Sequence, residues 1–436
     1  MSVSQRTLRC QKYYDDREII RDLLGGTKAM RAARTKYLPM EPGESPQSYK
    51  RRLDRSFLLN FFDRIVRNLA AKPFTRPVAV TSDSHQEFAD QYAVDVDGKG
   101  TNVSGLASAI LEEAIRMGTS FLCADKAVNG GRPYLYHLSG ERVLGYRMDE
   151  DDKLTEIRIK ESAVVADGEW GEKEVTRVRV FKRDGEVVTW SLYDGDDGSP
   201  ILLDQPFALK EIPVVAVHSS PVVASGELMA APPLIDLAYG NVQHWQERSD
   251  QLNILRIARI PVLFASGVAD DAAISIGAEY AIKGEIGADL KYVEHSGAAI
   301  GAGRDSIRDL EMQMQSYGLD MLENTGVAET AQGRTLRAGE TNNRVAMTTL
   351  NLSSAISKGF EWLAYFNRLP DADFHADINT DYGVTTDAQE LSTLNTVRTM
   401  GDISRQDYLQ ELKRRSVLGN QFNLADNEDR LSVELA

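Results

Sequence analysis

Cysteine is scarce in this chain, since its 436 residues include only Cys10 and Cys123. Neither residue belongs to a Cys-x-x-Cys motif or to a Cys/His cluster. A disulfide framework and a structural zinc site are therefore not expected, and a reducing compartment fits this cysteine content.

Long apolar runs are also missing. No stretch approaches the roughly 20 consecutive apolar residues that a membrane span needs. Residues 1–21 are polar and charged, without the apolar centre of a secretory signal. We expect a cytoplasmic product and no membrane partner.

The motifs of common active sites are absent or incomplete. The Gly25–Lys28 segment lacks the first glycine and the preceding strand of a phosphate loop, and the Gly301–Gly303 segment lacks the third glycine of a dinucleotide fingerprint. The six histidines are scattered, and no Gly-x-Ser-x-Gly elbow occurs. We therefore expect no catalytic, metal-binding or cofactor-binding residues, so the chain is predicted not to be an enzyme.

The net charge of −15 is unevenly distributed. Residues 1–76 contain 17 Lys/Arg and 8 Asp/Glu, which gives +9, whereas residues 371–436 contain 6 and 13, which gives −7. Solvated helix faces explain either end taken alone. The acidity argues against a high-affinity DNA-binding domain but not against a conduit, because a basic lining would hold the phosphates and stall sliding.

Hydrophobic periodicity predicts helices, then a β-rich unit. Apolar residues at spacings of four, from Tyr49 to Leu69, predict one amphipathic helix. Another helix is predicted over Val103–Met117, with Gly118 as its stop. Alternating segments such as Thr155–Lys160 and Thr176–Lys182 predict antiparallel strands, so residues 121–218 read as β-rich.

The second half predicts two rod-like helices around a small insert. One helix starts at Pro232-Pro233 and runs to about Ala258, about 25 residues or nearly 40 Å. The insert, Pro261–Gly303, is glycine-rich with three weak strands, and the second helix begins near Asp305. Apolar seams on both rods predict packing against a neighbouring copy.

A long aperiodic segment follows the second rod. Thr325–Thr341 contains three glycines and predicts a mobile loop, and a loop of this length is often functional. It leads into a long helix from Asn342 to about Leu369. Two acidic helices, near residues 388–400 and 404–416, end the pattern, with Ser404 as an N-cap.

The order of these elements resembles the portal proteins of tailed bacteriophages, in a branch formerly classed as a domain of unknown function. Four passages carry the resemblance: residues 37–49 with the following Asn60-Phe-Phe62; residues 117–125; the rod, insert, rod, loop and helix of residues 232–369; and residues 400–404 with Val417-Leu418. The resemblance covers nearly the whole chain.

The resemblance implies an α+β portal fold with a mixed α/β wing, a two-helix stem, a small β-containing clip, a tunnel loop with a long helix, and a C-terminal helical crown. The implied parts are the wing at 1–230 (helical first, β-rich at 120–218), stem helix 1 at 231–258, the clip at 259–303, stem helix 2 at 304–323, the tunnel loop at 324–341, the long wing helix and hinge at 342–385, and the crown at 386–436.

The resemblance also implies a function and partners. The chain would form a closed ring, usually of twelve subunits, at the head–tail vertex of the virion after assembly in the host cytoplasm. Its channel would pass double-stranded DNA in packaging and ejection, and its partners would be the terminase large subunit, a head-completion or adaptor protein, and capsid and scaffolding proteins. ATP hydrolysis belongs to the terminase in such systems, in agreement with the missing phosphate loop.

Six charged residues are candidates for contact with DNA. Arg334, Arg337 and Arg344 occupy or flank the predicted tunnel loop and would touch phosphates transiently, although they also fit the pattern of solubilising loop charges. Asp305, Asp309 and Glu311 are predicted to line the channel, because the second rod should lie nearest the DNA. No cofactor is expected.

Two other classes of protein remain open. One is a different virion component, an adaptor or capsid protein, which would form other assemblies. The other is a metal-dependent nucleic-acid enzyme whose site is built from dispersed carboxylates, which motif searches miss.

Overall fold

The computed structural model describes most of the chain. The described residues are 2–126, 131–222, 224–258, 262–266, 289–293, 298–316, 331–369, 372–380, 388–415 and a few positions beyond 415.

The chain folds into two compact units, each built from separated segments. Unit 1 comprises Met1–Arg17, Val66–Pro233 and Asp320–Ala436, and unit 2 comprises Glu18–Ile65 and Leu234–Leu319. The prediction of helices together with a largely antiparallel β-rich region is confirmed, so the fold class is α+β.

Twelve α-helices lie within the described residues. They are α1 (Leu8–Asp15), α2 (Glu18–Leu24), α3 (Gly26–Ala33), α4 (Pro46–Arg55), α5 (Phe61–Ala71), α6 (Gln86–Val94), α7 (Val103–Met117), α8 (Ile235–Ala258), α9 (Ala298–Ser316), α10 (Ala331–Phe366), α11 (Ala388–Met400) and α12 (Arg405–Arg414).

Twelve strands are described in the same ranges. They are β1 (Ala79–Thr81), β2 (Thr119–Lys126), β3 (Pro133–Ser139), β4 (Val143–Met148), β5 (Leu154–Asp167), β6 (Gly171–Asp184), β7 (Val187–Asp194), β8 (Pro200–Phe207), β9 (Val214–His218), β10 (Val262–Ser266), β11 (Asp289–Val293) and β12 (His375–Asp377).

Unit 1 contains a five-stranded antiparallel sheet in the order β4-β5-β6-β7-β8. Each strand pairs with the next along the chain, as the alternating pattern predicts. The inward side chains of β5 and β6, including Ile157, Ile159 and Phe181, are buried in the core. The β-rich prediction for residues 121–218 is therefore confirmed.

A second sheet of unit 1, in the order β3-β2-β9, packs against α7 and α10. Nearly every residue of β2 is buried, as is typical of a strand covered on both faces. Gly359 of α10 lies so close to this sheet that a Cβ atom there would meet Leu122 and Leu135 at 2.9–3.0 Å. The absence of a side chain thus sets how closely helix and sheet approach.

The N-terminal helices of unit 2 differ from prediction. The single amphipathic helix expected from Tyr49 to Leu69 is two helices, because α4 ends at Arg55 and α5 begins at Phe61. Ser56 has extended backbone angles, and the Asn60 side chain accepts a hydrogen bond from the Asp63 backbone N–H at 3.0 Å, which caps α5. Residues 56–60, here called the connector, join the two helices.

Candidate functional site

Helices α8 and α9 of unit 2 form an antiparallel pair. Their hydrogen bonds run in opposite chain order: His244 to Glu311 at 2.9 Å, Ser306 to Glu247 at 3.2 Å, and Gln251 Nε2 to the carbonyl of Ile300 at 2.8 Å. With 24 and 19 residues, the two helices span about 36 Å and 28 Å at 1.5 Å per residue. The prediction of two long helices is confirmed.

The bounds of the two rods and the insert need adjustment. Helix α8 begins at Ile235, close to prediction, whereas α9 begins at Ala298 rather than near Asp305. Strands β10 and β11 pair antiparallel from Val262 with Val293 to Ser266 with Asp289. Two of the three weak strands predicted in the insert are thus observed, and the third, at residues 280–282, lies outside the described residues.

The apolar face of α8 is covered by the chain itself. Val242 and Trp245 are buried, and the buried hydroxyl of Ser249 contacts that of Ser56 at 2.8 Å. Helix α8 packs against α2 and α4 of the same unit. The expectation that this part of the seam needs a neighbouring copy is therefore wrong, because the N-terminal helices supply the missing surface.

His244 ties α8 to α9 from a fully buried position. Its Nε2 lies 2.9 Å from a carboxylate oxygen of Glu311, and its ring meets Phe61 edge-on with a centroid distance of 5.2 Å. The histidine therefore packs against Phe61 and holds the Glu311 side chain in place. Glu311, predicted to line a channel, is partly buried and holds this histidine.

An acidic, polar groove runs along the helix pair. It has a volume of about 480 Å³ and is lined by Gln243, Glu247, Ala302, Asp305, Ser306, Asp309, Leu310 and Gln313. Asp305 and Asp309 are both exposed one turn apart, and the only cation bonded to either is Arg304, at 3.3 Å from Asp305, among the described side chains. Such a surface repels phosphate at long range and offers only amides and hydroxyls for brief contacts.

The structure brings two of the three acidic candidates together and separates the third. Asp305 and Asp309 share the groove, while Glu311 points to His244. Together the described residues of α8 and α9 carry acidic and basic side chains in mixture, so the pair lacks the basic stripe of a protein that grips nucleic acid.

The three arginine candidates lie on one helix rather than on a loop. Helix α10 begins at Ala331, so the prediction that the loop extends to Thr341 and the helix starts at Asn342 is wrong. Arg334, Arg337 and Arg344 occupy backbone positions within about 80° of the helix circumference at 3.6 residues per turn. The Arg344 side chain is exposed, and residues 325–330 of the predicted loop lie outside the described residues.

A buried ion pair anchors α4 beneath this helix pair. The Arg52 side chain is 3% exposed and contacts both carboxylate oxygens of Glu44, at 3.0 and 2.8 Å, and Asp250 of α8 at 3.1 Å. Its Nη2 also donates to the carbonyl of Pro39 at 2.6 Å. The hydrogen bonds from Arg52 hold the pKa of Glu44 below its usual value, although burial opposes the shift.

Asn241 of α8 fixes the connector from the other side. Its side chain is fully buried, accepts from the Phe62 backbone N–H at 3.0 Å and donates to the carbonyl of Leu59 at 2.9 Å. Sequence reasoning missed Arg52 and Asn241, because their partners are up to about 200 residues away in the chain. The only local signal is a polar residue on an otherwise apolar helix stripe.

One arrangement in unit 1 has the residue types of a catalytic triad. Ser120 Oγ lies 2.8 Å from His137 Nε2, and Glu113 lies 3.1 Å from the same nitrogen. A relay needs the hydroxyl and the carboxylate on opposite ring nitrogens, and Ser120 is fully buried. This cluster therefore satisfies buried polar groups and does not form a nucleophilic site.

A cavity of about 570 Å³ in unit 1 lies beside α10. Its charges pair with each other: Lys358 with Glu211 at 2.9 Å, and Lys210 with Glu186 at 2.8 Å. Burial alone would raise the pKa of Glu211, but hydrogen bonds from Trp362 and Lys358 outweigh it and lower the pKa. The cavity thus presents satisfied ion pairs rather than an unmatched charge for a ligand.

Across the part of the chain that the structure describes, no three His, Cys, Asp or Glu side chains are grouped to hold a metal ion. Within the same residues, no helix has the length and apolarity to cross a membrane.

Solved structures similar to this chain include parts of gene transfer agent (GTA) particles. The neck of an empty GTA particle, computed with C6 symmetry, is 16% identical with a TM-score of 0.46, over 81% of this chain and 89% of that one. The neck of a native particle, computed with C12 symmetry, is 14% identical with a TM-score of 0.43, over 83% and 89%. The virion of the native particle is 14% identical with a TM-score of 0.41, over 84% and 87%.

A family model matches the part of the sequence that contains the helix pair. No curated protein sequence matches the chain. Residues 233–367 match the model of a domain of unknown function, DUF4055. The matched segment runs from α8 through β10, β11 and α9 to the end of α10, so the similarity covers the helix pair, its β ribbon and the long helix as one block.

Proposed function

We propose that this protein is a phage portal protein: a non-enzymatic subunit of a ring whose central channel passes double-stranded DNA at the head–tail vertex. One observation carries the proposal. Between Ile235 and Phe366 the described elements are, in chain order, a long helix, a small β ribbon, a second long helix antiparallel to the first, and a still longer helix. This is the order of stem, clip, stem and long helix that the resemblance to portal proteins implies.

The chemistry of the helix pair fits a wall past which DNA slides. Asp305 and Asp309 give the groove a negative charge, so a duplex is repelled from close contact and does not stall on the surface. The two helices are joined through Glu311 and His244, neither of which lines the groove.

The start of α10 supplies the opposite charge. Arg334, Arg337 and Arg344 lie on about 15 Å of one helix, at 1.5 Å per residue. In the proposed ring they face the channel and make brief, sequence-independent phosphate contacts. A helical setting holds three such contacts in line, which a loop would not.

The further parts of the proposal follow from the portal family. The ring contains twelve subunits, the β ribbon formed by Val262–Ser266 and Asp289–Val293 docks a head-completion protein, and α11 with α12 forms a crown inside the head. A separate terminase supplies ATP hydrolysis, and capsid and scaffolding proteins surround the ring.

Negative-stain electron microscopy of the purified full chain, together with mass photometry, tests this proposal. We expect discrete rings with an axial hole and a mass close to twelve times 48.3 kDa. Shells or flat lattices would indicate a capsid protein instead. A protein that stays monomeric at every concentration, in low salt with millimolar magnesium, would overturn the proposal.

A further inference from the structure

The hairpin formed by β5 and β6 extends beyond the sheet that contains it. Strand β4 pairs with β5 only as far as Ile159, and β7 pairs with β6 only from Arg177 onward. Strands β5 and β6 nevertheless stay paired out to Asp167 and Gly171. Residues 161–176, here called the arm, are therefore a two-stranded ribbon of about 20 Å, and no other strand among the described residues pairs with either of its edges.

The arm is acidic and carries an exposed aromatic residue. None of its side chains is buried, and Trp170 in the turn is 91% exposed. From Glu161 to Thr176 it contains Glu161, Asp167, Glu169, Glu172 and Glu174 against Lys173, a net charge of −4. An isolated ribbon is marginally stable, and an exposed tryptophan is a typical interface anchor, so the arm has the composition of a docking element.

The connector of unit 2 carries the complementary surface. Phe57 and Leu59 are 40% and 36% exposed. The Arg248 guanidinium lies 4.2 Å from the centroid of the Phe57 ring, and Arg31 donates to the carbonyl of Ser56 at 2.8 and 2.9 Å. Two exposed cations complete what we call the connector patch: Lys28, Arg31, Arg55, Phe57, Leu59 and Arg248.

We propose that the arm of one copy binds the connector patch of the next copy and so closes the ring. The inference rests on the proposed function for the ring itself. The arm carries −4, and the four basic residues of the patch carry +4. Arg248 beside Phe57 offers a cation and a ring for Trp170 to stack on.

The occupant is a second copy of this chain because each surface repels itself. Two arms, or two patches, would bring like charges together, whereas an arm and a patch attract. A contact between different surfaces of identical chains is head-to-tail and, when it closes, forms a ring. Because the apolar face of α8 is already covered within its own subunit, contacts between subunits must use other surfaces, such as the arm and the connector patch.

Charge reversal tests the contact on the full chain. In the arm variant, Glu169, Glu172 and Glu174 become Lys; in the patch variant, Lys28→Glu and Arg55→Glu are combined. All five side chains are exposed, so both variants should fold. We expect each to need at least about tenfold more protein for half-maximal ring assembly in mass photometry, as for loss of an interface hot spot.

Mixing the two variants gives the sharper result. In the mixture the reversed arm faces a patch whose net charge has fallen from +4 to 0, so it is no longer repelled there, and the native patch and arm left on the two variants attract each other. An equimolar mixture should therefore assemble, with alternating subunits, at a lower protein concentration than either variant alone. A control variant with Asp83, Glu87 and Glu150 all changed to Lys alters as many exposed acidic residues elsewhere in unit 1 and should assemble normally.

Trp170 provides an optical readout that does not depend on charge. Its indole should leave water on assembly, so the fluorescence emission of the wild type should shift to shorter wavelength. The Trp170→Ala variant should lose that shift and assemble less tightly.

The experiments distinguish a failure of the arm–patch contact from a failure of the portal proposal. Normal rings from both reversal variants, or defective variants that fail to recover on mixing, would overturn this contact and leave the portal proposal standing. A wild type that forms no ring would overturn the portal proposal and the contact with it.

Discussion

Arg52 shows at the scale of a single residue how unit 2 is held together. Its buried guanidinium balances Glu44, whose side chain is 9% exposed, and reaches Asp250 of α8. Arg52→Ala would leave Glu44 buried without its cation. We expect a loss of about 3–5 kcal/mol in the free energy of unfolding, measured by urea titration of the monomer.

Lys50→Ala on the same helix is the matched control. Lys50 pairs with Asp54 at 2.8 Å, but both side chains are largely exposed, so the loss should be about 0.5 kcal/mol or less. An equal loss in the two variants would contradict the role assigned to the buried pair.

The Arg52–Glu44 ion pair also predicts that the stability of the folded chain depends on pH. The pKa of Glu44 is lowered in the folded chain, so its stabilising contribution is present above the ordinary glutamate value of about 4.3 and is lost as the pH falls through the folded-state pKa. The wild type should therefore lose more stability than Arg52→Ala between neutral pH and acid pH. If the stability of the wild type and that of Arg52→Ala fell equally with pH, the ion pair would not be the source of the pH dependence.

Residue-scale prediction from sequence succeeded where the signal is local. Gly118 was predicted to stop α7, and it does so with φ +91°. Arg52 and Asn241 depend on partners brought together only by the fold, and no spacing rule predicts such pairs.

At the scale of secondary-structure elements, the end of α7 is the most constrained junction. A Cβ atom at Gly118 would lie 2.5 Å from the backbone oxygens of Ala230 and Ala231. Gly118→Ala should therefore cost at least about 3 kcal/mol, from the left-handed backbone and the overlap together. Urea unfolding followed by circular dichroism measures this loss.

Gly401 supplies the control for the backbone contribution alone. It has φ +83° after α11, and a Cβ atom there would meet nothing within 4 Å. Gly401→Ala should cost about 1–2 kcal/mol. If both alanine variants lost the same stability, close packing at Gly118 would not be the cause.

Element boundaries were predicted less well than the elements themselves. The stripe from Tyr49 to Leu69 keeps its period across the connector, so periodicity alone merges α4 and α5. Asn60 followed by Asp63 is a capping signal that predicts the break. The glycines and small polar residues of residues 331–341 suggested a loop, yet the backbone there is helical and continuous with α10.

At the scale of the whole molecule, the negative charge of the groove is expected to keep the affinity of the proposed ring for DNA low. Asp305→Lys with Asp309→Lys would convert it into a phosphate-binding surface. We expect the assembled variant to bind duplex DNA about tenfold or more tighter at low salt, with a steeper dependence on salt concentration than the wild type. Fluorescence anisotropy of a labelled duplex measures both.

The control changes two exposed acidic residues outside the groove, Asp83→Lys and Glu87→Lys. DNA affinity should then rise much less. Equal gains in both variants would mean that overall charge, rather than the groove, sets the affinity.

The division of unit 1 into three segments affects the order in which the chain folds during synthesis. Strand β1 finds its only described partner in β12, and Thr81 and His375 lie 294 residues apart. At about 5–20 residues per second, the ribosome releases β12 about 15–60 s after β1. Unit 2, whose last residue is Leu319, is complete first, so the nascent chain holds a finished helix pair while the sheets of unit 1 still lack α10 and β12.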